Sequence, residues 1–244
     1  MIYLLAMFAE FIDSYLGMMY GTILTPLLII VGFPSQDVVP SILLSQAIAG
    51  GIASIGHIRY NNITLKRNGT NTKIILCIVT LGLIAVVVGA LVGTLLPKEI
   101  LNTYIAILCI VMGLIIVTKR TFNFSWMKIY GIAIISSFNK ALSGGGFGPV
   151  VTSGQIISGR KGKSSISVSD ITEIPICLLG FGIWVASKGM PDTSLLFPLI
   201  IGSVVGALIG PFVLSKHKSS DKLKITIGYV TLILGTYLLG KCIL

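Results

Sequence analysis

Charge is scarce in this chain: 11% of its 244 residues are Asp, Glu, Lys or Arg, and only eight of them are acidic. A soluble domain is about one-quarter charged, so a soluble globular enzyme or binding module is excluded. No polar stretch is long enough for a separate soluble domain, and 1–244 reads as one membrane domain. Zinc-ligand spacing is missing among its two His and four Cys residues. No nucleophile–base pattern is visible, and Gly144-Gly145-Gly146 is not followed by the Gly-Lys-Ser/Thr of a phosphate loop. Neither an enzymatic activity nor a metal or organic cofactor is expected. The cysteines (Cys77, Cys109, Cys177, Cys242) lie far apart within apolar runs and read as free buried thiols. The first residues lack a basic region and soon meet Glu10 and Asp13, so the first apolar segment is expected to stay uncleaved.

What the chain has is hydrocarbon: 54% hydrophobic residues and a mean hydropathy of +0.97. Eight apolar segments can be marked, at roughly 3–31, 40–57, 74–96, 101–118, 129–158, 165–187, 194–214 and 224–243. Most approach the ~20 residues of a membrane-crossing helix. The first and fifth are longer and carry Gly or Pro breaks at matching points. The net charge of +10 comes from 18 Lys and Arg confined almost entirely to four loops, which marks topology and not a nucleic-acid partner. Those loops carry Arg59, Lys66, Arg67 and Lys73; Lys119, Arg120 and Lys128; Arg160, Lys161 and Lys163; and Lys216, Lys218, Lys222 and Lys224.

Shifting the sequence by 127 residues superimposes Phe11 on Phe138, Gly17 on Gly144, Gly21 on Gly148, Thr25 on Thr152, Gly32 on Gly159 and Gln46 on Glu173. With shorter gaps, Gly89–Gly93 pairs with Gly206–Gly210 and Leu101–Gly113 with Leu223–Gly235. The chain is therefore read as two four-segment repeats, about 1–120 and 125–244. If all eight segments crossed, two basic loops would lie on each side of the membrane. If segments one and five are re-entrant, all four fall inside, and the odd number of crossings inverts the second repeat relative to the first. The expected fold is an all-α polytopic membrane protein of two inverted repeats, each opening with a broken or re-entrant helix.

Polar residues inside these segments mark the expected site. Backbone freed at Gly144, Gly145, Gly146 and Gly148, and at Gly17 and Gly21, cannot face lipid and must line a cavity or be buried in protein. The half-helices that follow would aim free N–H groups at one midplane point, a setting for a small anion. Ser14, Thr22, Asn139 and Ser143 are candidate donors. Lys140 either supplies charge to the cavity, or it snorkels or pairs with an acid. Asp13, Gln46 and Glu173 are candidates for coupling to protons or another cation, Glu173 because Pro175 frees carbonyls beside it. Glu10 and Asp170 read as interfacial or helix-capping acids, and His57 and His217 as water-exposed. Trp126, Trp184, Tyr130 and Tyr104 suit aromatic belts.

Ser143-Gly144-Gly145-Gly146-Phe147-Gly148-Pro149 in the second half, and the stretch from Gly17-Met18-Met19-Tyr20-Gly21 to Leu28 in the first, resemble the TauE/SafE family of sulfite exporters and organosulfonate transporters. The resemblance covers the whole chain. It implies a multi-pass secondary transporter of the plasma (cell inner) membrane for sulfite, organosulfonates or related small anions. The partners it implies are that anion and the bilayer, with protons as a coupling ion; a homo-oligomer is compatible with it. The family is richer in glycine where this chain has Met18 and Met19, so the lining of its cavity differs. The alternative reading is a cation-coupled permease or ion channel for another small anion. The charge pattern is testable directly: in a background lacking the native thiols, single cysteines near Arg160 and near Lys218 are expected to react with impermeant reagent only from the cytoplasmic side. Labelling of both from outside would reject the inverted arrangement.

Overall fold

The computed structural model describes residues 1–118, 125–157, 160–217 and 221–243. Gly159, Lys119, Arg120 and Lys218 of the sequence reading lie outside the described residues. All regular structure described is helical: α1 (Ile2–Leu16), α2 (Tyr20–Val31), α3 (Ser35–Arg59), α4 (Thr70–Leu95), α5 (Lys98–Thr118), α6 (Trp126–Ser143), α7 (Phe147–Ile157), α8 (Gly162–Lys188), α9 (Thr193–Lys216) and α10 (Asp221–Ile243). Six of these, α3, α4, α5, α8, α9 and α10, are long and apolar enough to cross a membrane. The first and fifth apolar segments are each split in two, as their glycines predict. Gly17 (φ 77°) and Gly144 (φ 72°) adopt the left-handed conformation. Their N–H groups close the preceding helices on Asp13 O at 2.6 Å and Lys140 O at 2.8 Å. This is the αL termination that glycine permits without a Cβ penalty.

Small residues set which helices touch. Gly202, Gly206 and Gly210 of α9 receive Tyr3, Met7, Phe11 and Ser14 in turn, so α1 lies along α9 in the same direction. Gly89 and Gly93 of α4 receive Phe138 and Leu142, so α6 runs parallel to α4. Both contacts are the close helix approaches that Gly-x3-Gly spacing favours. Each pair joins a broken segment of one repeat to a spanning helix of the other. Exchanging α1 with α6, α3 with α8 and α4 with α9 turns one pair into the other. The same exchange relates α3·α9 to α4·α8 and leaves α3·α8 and α5·α10 unchanged.

Directions follow from the same contacts. The Ser203 hydroxyl donates to Ser45 O and Gly56 meets Pro211, so α3 and α9 run together. Gly50 faces Asp170 while Gly180 faces Leu43, so α8 runs against α3. α2 returns beside α3 through a three-residue link, with Tyr20 bonded to Ser45, so α1 and α2 run in opposite senses. The C-terminal ends of α3 and α9 therefore lie with the N-terminal ends of α4, α6 and α8. Lys224 and Lys161 border one cavity, which brings the start of α10 to that end as well. The described members of the four basic loops thus share one end of the bundle, the basic face.

The two breaks cross at the centre. Gly17 packs against Thr152 and Gly144 against Thr25; Gly21 meets the carbonyl of Gly144, and Gly148 that of Gly17. Each pair of contacts is interchanged by the 127-residue shift. A Cβ at either position 21 or 148 would run into backbone of the opposite turn, and backbone does not give way as a side-chain end does. Gly148→Val and Gly21→Val should each lower the melting temperature of the purified protein, at a cost of roughly 1–3 kcal/mol or more. Gly131→Val, where added atoms meet open space, should leave it nearly unchanged.

Candidate transport site

Beneath the crossing lies a buried polar chain. Lys140 Nζ sits 2.7 Å from Glu173 Oε1 and donates to Gln46 Oε1. Gln46 Nε2 in turn donates to Asp13 Oδ2 at 3.2 Å. The other Asp13 oxygen accepts the first N–H of α2, that of Tyr20, at 3.1 Å. Exposures of 5% for Asp13, 4% for Gln46, 1% for Lys140 and 2% for Glu173 make this an occluded site. The two halves contribute equivalent positions: the shift that aligns Gln46 with Glu173 also aligns Asp13 with Lys140. Asp13–Gln46 and Lys140–Glu173 are therefore the same contact made once in each repeat, and the Lys140–Gln46 bond ties the repeats together.

The arrangement resolves the choice left open for Lys140: it pairs with an acid at the centre and does not snorkel. It also alters the expectation for the free N–H groups. In this state protein atoms hold them: Gly146 N donates to Thr22 Oγ1 at 3.4 Å and Gly145 N to Ser143 Oγ at 3.2 Å. Ser143 donates back to Asn139 O at 2.7 Å. The Asn139 side chain is engaged by the Tyr104 hydroxyl of α5. Ser14 turns to α9 and donates to Glu10 Oε1 at 2.9 Å. The sequence reading did not single out Thr25 and Thr152 beyond their alignment. Their buried hydroxyls at the crossing have no hydrogen-bond partner, and the signal was available in the 127-residue shift that aligns them.

Several expectations are corrected. His57 does not see water; it is wholly buried and lies 2.9 Å from Asp170 Oδ2. Asp170 and Glu10 are neither interfacial nor caps but buried within α8 and α1. Trp184 is buried against Gly93, with its indole N–H donating to Ala141 O at 2.8 Å, and Tyr104 serves Asn139; neither belongs to an aromatic belt. Of the cysteines, Cys109 and Cys177 are buried as expected, whereas Cys77 and Cys242 are only half-buried. Of the eight acids in the chain, four (Glu10, Asp13, Asp170, Glu173) are buried in the bundle, and Lys140 pairs with one of them, Glu173. The other four begin helices: Asp37 and Glu99 lie in first turns, Asp192 caps α9 and Asp221 starts α10. Among the described residues no group of His, Cys, Asp and Glu is arranged to hold a metal ion.

Broken helices crossing at a buried charge within a bundle of long apolar helices define the class as a multi-pass membrane transporter. The sulfite exporter TauE/SafE family model matches residues 2–238, and the chain belongs to that family. It is also 24% identical over 228 residues to the probable membrane transporter protein YtnM of Bacillus subtilis (strain 168), a match that covers 87% of this chain and 73% of the relative. No solved structure matches it.

Removing one member of a buried ion pair leaves an uncompensated charge and costs about 3–5 kcal/mol, whereas replacing both members with apolar groups is often close to neutral. Lys140→Met should therefore destabilise the protein strongly in thermal unfolding. Lys140→Met combined with Glu173→Met should recover much of the loss, a non-additivity that a double-mutant cycle measures.

Proposed function

We propose that this protein is a secondary transporter of the cell inner membrane for small sulfur-containing anions such as sulfite or organosulfonates. Lys140 is the binding cation and Glu173 the proton-coupled group. The observation that carries the reading is the Lys140 ammonium, buried beside two crossed half-helices and neutralised by a carboxylate of the same chain. In the empty, occluded state Glu173 occupies the place of an anion. A substrate anion reaching Lys140 competes with that carboxylate, and protonation of Glu173 releases the ammonium to the substrate. Binding of anion and proton is thereby coupled through one charge.

The rest of the site suits an oxyanion. Thr25 and Thr152 bring two hydroxyls without protein partners, and the backbone N–H groups of Gly145 and Gly146 need only exchange Ser143 and Thr22 for substrate oxygens. The excess of buried acids over cations favours protons as the coupling ion, because carboxylates crowded in a low-dielectric interior are most readily neutralised by protonation. Support for inverted repeats comes from the antiparallel courses of α3 and α8 and of α5 and α10, where Gly113 meets Gly228 and Leu232 while Gly235 meets Ala106 and Ile110, and from the gathering of the basic loops at one end. By the positive-inside tendency that end faces the cytoplasm. The half-helix pairs then enter from opposite sides, which lets the crossing open to either face around a fixed site.

Uptake of labelled sulfite or sulfoacetate into proteoliposomes, with and without a proton gradient, tests the reading; transport no greater than in protein-free liposomes would reject the substrate class. Glu173→Gln copies the amide at the equivalent position of the first repeat and removes the titratable group. It is expected to retain substrate binding and to lose the dependence of transport on the proton gradient. Wild-type pH dependence in that variant would make Glu173 structural.

A further inference from the structure

The central ion pair leaves a second buried titratable pair unused, and that pair leads to an open cavity. At the basic face a cavity of 590 Å³ is bordered by Asn62, Lys161, Lys163 and Lys224, room for several waters at about 30 Å³ each. Asn62, itself 4% exposed, donates from Nδ2 to Pro211 O at 2.8 Å and lies 3.1 Å from His57 Nδ1. A carbonyl only accepts, so the amide nitrogen must face it, and the same nitrogen then makes His57 Nδ1 an acceptor. The ring proton therefore sits on Nε2 and is donated to Asp170 Oδ2 at 2.9 Å. Asp170 stands three residues before Glu173 on α8, on the same helix face. Cavity, amide, imidazole and two carboxylates thus form one line ending at Lys140.

We infer that His57 and Asp170 form a proton-exchange station between the basic-face cavity and Glu173. The inference rests on the reading of Glu173 as the coupling group. The step balances without any co-reactant. Asn62 swings aside, hydronium in the cavity gives a proton to His57 Nδ1 and leaves as water, and the Nε2 proton passes to Asp170 Oδ2. The ring is left neutral with its proton on Nδ1; turning the ring toward the cavity lets Nδ1 release that proton to water and Nε2 take one up, which restores the starting tautomer. Protonated Asp170 then hands its proton to Glu173, whose carboxylate leaves the ammonium of Lys140. Imidazole suits the transfer because it accepts at one nitrogen while donating from the other. The charged groups facing this line are Glu10 and Asp13 from α1, Lys140 from α6 and Glu173 from α8, with the buried thiol of Cys177 on α8 and the phenol of Tyr20 on α2 beside them; with His57 and Asp170 the first four are the buried Asp, Glu, His, Lys and Arg side chains among the described residues. α9 contributes the Pro211 carbonyl. The equivalent of His57 in the second repeat is Trp184, which cannot carry a proton, so the station serves one face only.

The test is infrared difference spectroscopy of the full chain in nanodiscs after a pH jump, without substrate, so that an error in the substrate assignment leaves the readout intact. The Glu173 carboxyl signal is the one that Glu173→Gln abolishes. In a variant that still unfolds cooperatively, His57→Gln should slow the appearance of that signal by about tenfold or more, while Asp170→Glu should keep it fast. Should His57→Gln fail to fold, Asp170→Asn carries the same expectation of slowed protonation. An unchanged rate in the folded variant would overturn the proposal. In proteoliposomes, His57→Gln should lose proton-driven net uptake yet keep exchange of labelled for unlabelled substrate, which moves no net proton. Equal loss of both activities would overturn the proposal by making the pair a structural bolt.

Discussion

An ammonium held away from water needs partners, and Lys140 takes them from both halves of the chain: Gln46 from the first and Glu173 from the second. Desolvating a charge costs several kcal/mol even after relaxation, and only close, well-placed acceptors offset it. The fold is arranged to supply them. α3 and α8 run side by side in opposite senses, so equivalent positions on the two helices reach the same point from either side. The crossing of α1–α2 with α6–α7 then closes over that point. Loosening any of these elements would leave either the lysine or a carboxylate unpaired in a low-dielectric interior.

The crossing is close because four positions carry no side chain. Gly17 and Gly144 reverse the backbone in a conformation other residues adopt at a cost, and Gly21 and Gly148 let each turn touch the other's carbonyl. This closeness brings Asp13 to the first N–H of α2 and Thr22 to Gly146 N, so protein atoms hold donors that face the site. Each of these donors thus keeps an intramolecular acceptor, so burial leaves it satisfied.

Where the 127-residue shift relates one half to the other, the side chains differ. Under that shift Asp13 is answered by Lys140, Gln46 by Glu173 and His57 by Trp184. The first two differences give the centre a charge pair and a titratable group where a perfect duplicate would have neither. The third makes the two ends of the bundle unlike. One joins a lysine-bordered cavity to a buried imidazole, whereas at the other the equivalent position is an indole packed on Gly93.

Much of this was legible in the sequence. Hydropathy and the four basic loops determined an all-helical multi-pass membrane bundle, because lipid admits only backbone that satisfies its own hydrogen bonds, and the 127-residue shift suggested two repeats within it. The glycines at 17, 21, 144 and 148 located the breaks, because few other residues tolerate those turns and approaches. The shift also aligns Asp13 with Lys140, a pairing that went unread, and Thr25 with Thr152, whose place at the crossing only the structure showed. What no local pattern held was the pairing of charges. Whether Lys140 snorkels or binds Glu173, and whether His57 meets water or Asp170, depends on which helix faces land together across more than thirty residues of chain. Hydropathy scores each segment by itself, and it treated the polar residues of α1, α3 and α8 as tolerable exceptions. Only the packed bundle, by removing water from all of them at once, makes each charge require a particular partner.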